Sequence, residues 1–251
     1  MDMSPDPNGQ RSVLTLAIDI GGSRLKAGLL DQNGDMVAGP NRVNTPPQPF
    51  PQLVVDTLVG LASPLGEFHR ISVGFPGVVR RGKVLTAPNL GTQQWRHFPL
   101  AASLTDKLGK PTRMMNDAEV QGLGVISGKG LECVITLGTG MGFALFRDGY
   151  PAPHLELSHH PLHKGKTYEQ FIGAVALREV GRKRWNRRLR RVLASIETLV
   201  GFETLYIGGG NAKLLEIELA DNIRIVSNQA GITGGVRLWD HTLDPMFAAT
   251  V

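Results

Sequence analysis

The sequence predicts an α/β protein of two lobes with a cleft between them. Three observations carry that expectation. Strand-like runs alternate with helix-like ones, a strand–glycine turn–strand pattern occurs twice at matched places, and 251 residues suit two lobes better than one, since domains usually run to roughly 100–200 residues. The boundary is expected near residues 110–120, giving an N-terminal α/β lobe over 1–115 and a C-terminal α/β lobe over 116–251.

Leu14–Ile20 is β-rich and breaks at Gly21-Gly22-Ser23; Leu25–Leu30 follows as a second strand and ends in the turn Asp31-Gln32-Asn33-Gly34. Met36–Val43 extends this to a third strand, and short Gly/Asn turns favour antiparallel pairing. Four prolines in Thr45–Pro51 require a loop. Leu53–Leu65 has helical apolar spacing, Arg70–Phe75 reads as a strand, Leu100–Leu108 as a helix, Pro111–Met115 as extended chain and Val120–Ile126 as a helix. The opening pattern then recurs: strand Val134–Leu137, glycine turn Gly138–Gly142, strand Phe143–Phe146 and turn Arg147-Asp148-Gly149. Thr167–Val180 and Arg182–Leu199 read as helices and Thr204–Ile207 as a strand. Gly208–Gly210 is a third glycine turn, leading to a helix at Lys213–Leu219; Ile223–Val226 and a helix near Ile232–Trp239 close the chain.

Composition narrows the class. Hydrophobic residues are 41% and charged residues 20%, which supports folded cores and excludes a disordered chain. Cys133 is the single cysteine, so neither an intrachain disulfide nor a multi-thiolate zinc site can form. The polar start Met1–Gln10 does not read as a signal peptide, and no run reaches the ~18 apolar residues of a membrane helix, so a cytoplasmic protein without a membrane partner is expected. Net charge is +5, yet Arg182–Arg191 carries seven of the 27 Lys and Arg and no acid; the rest of the chain is slightly acidic. Basicity is thus local, which weakens any general case for nucleic acid. Trp95, Trp185 and Cys133 are read as core residues.

Two motifs suggest phosphate. In Asp19-Ile20-Gly21-Gly22-Ser23, a carboxylate at a strand end can hold a hydrated cation, and the glycines let backbone N–H groups approach an anion, with Lys26 as a further cation. Leu137–Gly142, with Gly138, Thr139 and Gly140, supplies a second such turn. It joins two strands and lacks a Gly-Lys-Ser/Thr sequence, so it is neither a Walker loop nor a Rossmann fingerprint. Asn116-Asp117 stands where a strand meets a helix. There the carboxylate can take a proton from a hydroxyl nucleophile while the amide fixes a neighbouring hydroxyl; a helix cap is the competing reading.

Together with Gly74-Phe75-Pro76-Gly77, Glu156-Leu157-Ser158-His159 and Gly208-Gly209-Gly210, these motifs occur in an order that resembles the ROK family of bacterial sugar kinases and repressors, over about residues 14–240. Thr86-Ala87-Pro88-Asn89-Leu90 and the short chain are similar to its polyphosphate glucokinase branch. The resemblance implies a two-lobed actin/hexokinase-like (ribonuclease H-like) fold with a central interdomain cleft. It also implies phosphoryl transfer from polyphosphate or ATP to the 6-hydroxyl of glucose. By resemblance Asp117 matches the catalytic base, Asn116 and Glu156 match sugar contacts, and Asp19, Gly21, Gly22, Ser23, Gly138, Thr139 and Gly140 match the phosphate loops. Asn89 and His159 are added as expected sugar contacts, His159 with a structural role as the alternative, and Lys26 and Gly209 as expected phosphate contacts. Mg²⁺ is the expected cofactor, held partly through Asp19.

Two departures stand out. Ser158 replaces the glycine usual in the family's Glu-x-Gly-His motif, and no cysteine follows it, so the family's structural zinc site is not expected. His154, His159, His160 and His163 are read as a polar loop rather than a metal site. With no helix-turn-helix pattern before Leu14, the repressor branch is disfavoured. The competing functions are a kinase of mannose or an N-acetylated amino sugar, and a non-catalytic sugar sensor. Trp185, Leu189, Val192 and Ile196 form a core stripe, leaving Arg184, Arg187, Arg188 and Arg191 on adjoining faces as either a solvated surface or a polyanion contact. A homodimer is the remaining candidate partner.

Overall fold

The meander expected at the N-terminus forms: β1 (Thr15–Ile20), β2 (Arg24–Leu30) and β3 (Met36–Asn44) pair antiparallel in that order. The structure, a computed structural model, describes residues 13–227 and 230–248. It divides into two units. The first comprises residues up to Met115 and again from Ile232; the second runs Asn116–Gly231. The expected second lobe, 116–251, therefore loses its last segment to the first unit.

In the first unit, α1 (Pro51–Ala62) starts with a proline at its first turn, where a missing N–H costs nothing. Strand β4 (Arg70–Phe75) then joins β1 in parallel. A small hairpin of β5 (Val79–Arg80) and β6 (Lys83–Val84), the short α2 (Thr92–Trp95) and α3 (Leu100–Leu108) lead to β7 (Thr112–Asn116), completing the sheet order β3-β2-β1-β4-β7. Strand alternation divides β1 between two faces. Leu16, Ile18 and Ile20 bury against Val54, Leu58, Leu100 and Leu104 of α1 and α3. Ala17 points the other way and packs with Leu30, Ile232 and Val236, which belong to the chain's final segment.

That segment explains the corrected boundary. It enters through α7 (Ala230–Thr233), a 3₁₀ turn over Gly234–Trp239 and α8 (Asp244–Phe247), where one helix near Ile232–Trp239 was expected. Ser72 of β4 donates to the Gly235 carbonyl at 2.7 Å and accepts from Trp239 Nε1 at 2.9 Å. The Arg113 guanidinium lies 4.4 Å from the Trp239 ring centre and bonds Asp244 at 2.7 Å.

In the second unit, α4 (Asp117–Leu123) precedes the repeated hairpin of β8 (Leu131–Leu137) and β9 (Met141–Arg147). Then come β10 (Tyr150–Pro151), the β11 (Pro161–His163)–β12 (Lys166–Thr167) hairpin, α5 (Tyr168–Ile172), α6 (Ala174–Val200), β13 (Thr204–Gly208) and β14 (Ile223–Ile225). The main sheet runs β10-β9-β8-β13-β14, with β13 parallel to both β8 and β14. In each unit, then, the first strand of a hairpin also pairs in parallel with a later strand.

On one face of this sheet Cys133, Ile135 and Leu137 bury against Phe171, Trp185, Leu189, Val192 and Ile196. The predicted stripe of α6 is therefore its core face, and Trp95 and Trp185 are fully buried in their respective units. Burial pushes the Cys133 thiol up to about 12, so it is an inert core residue. Helix α6 breaks at Gly181, where φ is +71°. The expected helix at Lys213–Leu219 is only a turn at Ala212–Leu214. Beyond it Leu215, Ile217 and Leu219 are half-buried while Glu216 and Glu218 are exposed, a period of two that suits extended chain. Among the described residues no helix is long and apolar enough to cross a membrane.

Candidate active site

The two glycine turns share a construction. In the first, Gly21 N–H donates to the Arg24 carbonyl at 2.9 Å, leaving no room for a Cβ at Gly21. Thr45 then ties down the turn's oxygens: its hydroxyl donates to Gly21 O at 2.7 Å and its N–H to Ser23 O at 3.1 Å. In the second, Asn211 donates to Leu137 O through its backbone at 2.9 Å and to Gly138 O through its side chain at 3.0 Å; Ala174 N–H donates to Thr139 O at 3.0 Å. Carbonyl oxygens that would repel a phosphate are thus committed to the protein in both turns. Gly209, with φ of +87°, sits against the Leu137 backbone where any Cβ would collide, so the third glycine turn buttresses the second.

Asp19 and Lys26 face each other across β1 and β2, with Lys26 Nζ 2.7 Å from Asp19 Oδ2. The sequence reading treats Lys26 as a separate cation; in the structure it is the partner of Asp19. Asn89 lies against the turn, where a Cβ on Gly22 would come within 3.0 Å of its own. This places Asp19, Gly21, Gly22, Ser23, Lys26 and Asn89 on one unit.

The second unit carries the rest. Asn116 caps α4, its side-chain oxygen accepting from Ala118 N–H at 2.9 Å, while Glu119 reaches back to the Asn116 N–H at 3.2 Å. This is a reciprocal capping box. The cap reading therefore holds for Asn116, and it leaves Asp117 as the first helical residue.

Glu119 also begins a polar chain. Its Oε1 lies 2.9 Å from His154 Nδ1; His154 Nε2 lies 3.4 Å from Glu156; and Ser158 donates its hydroxyl to Glu156 at 2.9 Å. His159 stands 3.9 Å from Glu156 and 3.4 Å from Glu169, whose carboxylate packs against Gly140 in the space a Cβ would occupy. Burial opposes charge on His154, but its hydrogen bonds to the Glu119 and Glu156 carboxylates outweigh it and raise the imidazolium to about 9. Burial likewise works against the Glu156 carboxylate, yet His154 and Ser158 hold it below its usual range. The serine that departs from the glycine of the motif thus has a definite task.

Glu119, His154, Glu169 and Asn211 are absent from the sequence-derived set. The Asn116-x-x-Glu119 spacing is a capping-box signature and was legible; the other three act across the fold. The histidine loop does not gather into a metal site: His154 sits between two carboxylates, His159 turns to Glu169, and His163 meets the Phe171 ring edge-on at 5.8 Å. Among the described residues no group of three or more His, Cys, Asp or Glu converges on one point. The hard oxygen of Asp19 fits a Mg²⁺ ion that keeps several waters and takes other ligands from phosphate.

The sequence profile of the ROK family matches residues 15–153. A polyphosphate glucokinase of Mycobacterium tuberculosis is 28% identical over 233 residues, covering 86% of this chain and 88% of the relative. The crystal structure of the inorganic polyphosphate/ATP-glucomannokinase from Arthrobacter sp. strain KM superimposes with a TM-score of 0.81 at 30% identity, over 91% of this chain and 98% of that one. The ROK family glucokinase from Streptomyces griseus, solved with glucose and AMPPNP, shares the fold with a TM-score of 0.74 at 21% identity, over 90% and 98%. Paired glycine turns, a carboxylate at the head of a capped helix and near end-to-end similarity all lead to one assignment: the chain is a member of the ROK family, with its actin/hexokinase-like α/β fold.

Proposed function

We propose that this protein is a hexokinase-type kinase that transfers a phosphoryl group from polyphosphate or ATP to the 6-hydroxyl of glucose. The observation that carries the reading is the continuous polar chain in the second unit. It runs from the capped helix that bears Asp117, through His154 and Glu156, to His159, Glu169 and the Gly140 turn. A sugar held by Asn116, Glu156 and His159 would present a hydroxyl to Asp117, which orients it and takes its proton. The two glycine turns would receive the donor phosphates through the Thr139 and Ser23 hydroxyls and neighbouring backbone; the Gly21 and Gly138 N–H groups themselves hold the turns closed, at 2.9 Å to Arg24 O and 3.1 Å to Gly140 O. Asn89 adds a further sugar contact. Mg²⁺, when bound, would supply charge neutralisation of the transferring phosphates; Asp19, which pairs with Lys26 at 2.7 Å, would be its protein ligand.

Mannose is the second substrate to test, because a relative of 30% identity is a glucomannokinase. The experiment is coupled phosphoryl transfer with Mg²⁺ and glucose, mannose or N-acetylmannosamine, run with ATP and with polyphosphate. Glucose 6-phosphate formation supports the reading. Sugar binding without turnover for any donor would replace it with a sensor.

A further inference from the structure

The feature that the kinase reading leaves unexplained is the basic run on α6. The structure shows that it does not act alone. In the second unit, an open groove of about 400 Å³ is lined by Arg184, Arg187, Arg188 and Arg191 of α6 and by Lys164 and Lys166 of the β11–β12 hairpin, with His163 and Phe171. The lining contains no carboxylate. Among the described residues, Lys164, Lys166, Arg184, Arg187 and Arg191 have no carboxylate within 4.0 Å. Arg182, at the start of the run, is paired with Glu216 at 2.9 Å.

Six cations gathered on two elements repel one another, the more so where solvent is partly excluded. A solvated surface would be expected to intersperse acids, and this groove does not. One cation is also fixed in place. Arg188 stacks 4.9 Å over the Phe171 ring and donates to the Phe171 carbonyl at 3.2 Å, so it need lose little freedom on meeting an anion.

We propose that this groove binds the distal part of a linear inorganic polyphosphate. The ligand class follows from what the groove offers and what it withholds. It offers charge along two walls. Its aromatic ring, Phe171, is buried, covered by Arg188 and in T-shaped contact with His163 at 5.8 Å, so it gives nucleic-acid bases no platform. A phosphate chain without bases needs only the charge.

Helix α5 links the groove to the candidate site. Phe171 lines the groove, while Glu169, two residues earlier, packs on Gly140 and contacts His159. A chain anchored in the groove is tethered to the unit that carries the Gly140 turn, which raises its local concentration at the turn proposed to receive the reacting phosphate. This use of the groove rests on the kinase reading; binding of the polyanion does not.

The test uses two variants of the full chain, Arg184→Gln/Arg187→Gln/Arg191→Gln and Lys164→Gln/Lys166→Gln. Both spare Arg188, whose stacking helps to pack Phe171, and glutamine preserves helix propensity. Binding of long-chain polyphosphate, tripolyphosphate and poly(U) RNA is titrated at several salt concentrations, alongside KM for long polyphosphate, tripolyphosphate and ATP. The proposal expects each folded variant to lose about tenfold or more in affinity and KM for the long chain. The slope of log K against log salt should fall by about two in the triple variant, from the counterion-release rule for single-stranded polyanions. Tripolyphosphate and ATP should change less than about twofold, being too short to bridge both sites. Unchanged long-chain affinity in both variants overturns the proposal, as does RNA binding that is tighter and displaces polyphosphate. If no donor supports turnover but the variants still lose polyphosphate binding, the kinase reading fails and the groove stands. If turnover with long polyphosphate persists unaltered, the groove fails and the kinase reading stands.

Discussion

Glu119 Oε1 lies 2.9 Å from Nδ1 of His154, joining the helix that carries the candidate base to the loop that carries the sugar motif. Because His154 is raised to about 9, it is an imidazolium at neutral pH, and both ring nitrogens donate. It is a positioning residue: it touches Glu119 and Glu156 rather than any reacting atom. His154→Gln keeps one donor and loses the charge. The sugar KM is expected to rise roughly tenfold, the scale of a lost charge-assisted hydrogen bond, with kcat changing less. Stability should respond to pH in a defined window. A raised folded pKa means that the contribution is complete below the unfolded value of about 6.5 and is lost as pH rises through about 9. Melting temperatures measured from pH 6 to pH 10 should show this decline in the parent and a flatter profile in the variant; parallel curves refute the pairing.

Asp117→Asn retains an oxygen that can accept the Ala118 N–H, which the parent carboxylate accepts at 2.9 Å. The helix start should survive. Turnover should fall by ~10²–10⁴-fold through loss of the proton acceptor, with sugar affinity nearly unchanged. A near-normal kcat would falsify the assignment of Asp117 as base.

Ser158→Ala removes the hydroxyl that donates to Glu156 at 2.9 Å and changes little else in a buried position. Glu156 then has one donor fewer. An increase in sugar KM of roughly three- to tenfold is expected, with ATP or polyphosphate KM unmoved. Equal shifts in sugar and donor constants would place Ser158 outside sugar binding.

Glu132 is a buried carboxylate with a purely architectural task. It accepts from the backbone N–H groups of Ser127 at 2.7 Å, Gly128 at 2.8 Å and Lys129 at 3.2 Å, and from the Tyr206 hydroxyl at 2.8 Å. Burial raises its pKa, but these donors prevail and hold it below the usual value. Its contribution is present above the unfolded pKa of about 4.3 and is lost as pH falls through the depressed folded value. Glu132→Gln turns an amide NH₂ towards donors. A loss of about 2 kcal/mol and several degrees of melting temperature is expected, with kinetics of the folded enzyme unchanged. An unaltered melting curve contradicts this role.

Mg²⁺ removal offers a further check. With Asp19 as the expected protein ligand, chelation should abolish turnover and added Mg²⁺ restore it. Asp19→Asn should raise the Mg²⁺ concentration needed for half-maximal rate. Activity that survives chelation excludes the assigned role of Asp19.

The elements that the sequence makes legible are those governed by neighbours. The two hairpins announce themselves through alternating apolar residues around Gly21 and Gly138, and the α6 core face through Trp185, Leu189, Val192 and Ile196 at helical spacing. The failures have the same cause in reverse. Lys213–Leu219 is apolar enough for a helix, and its choice of extended chain depends on the second core beside it. Asn116 could be read as a cap or as a ligand; the Asn116-x-x-Glu119 spacing already signals the cap, and the two hydrogen bonds of the capping box establish it.

Motif chemistry, the repeated hairpin and the concentration of charge on one helix were decided within short stretches of chain, where turn residues, side-chain period and charge act on immediate neighbours. Tertiary structure alone returned residues 232–248 to the first unit, where Gly235 meets Ser72 across 163 residues of sequence. It also set His154 between Glu119 and Glu156 and brought Lys164 and Lys166 to the arginines of α6. The contacts of Gly235 with Ser72 and of His154 with Glu119 close loops of 163 and 35 residues. Their formation depends on which buried surfaces find each other once both cores have formed, and no local pattern of residues encodes that.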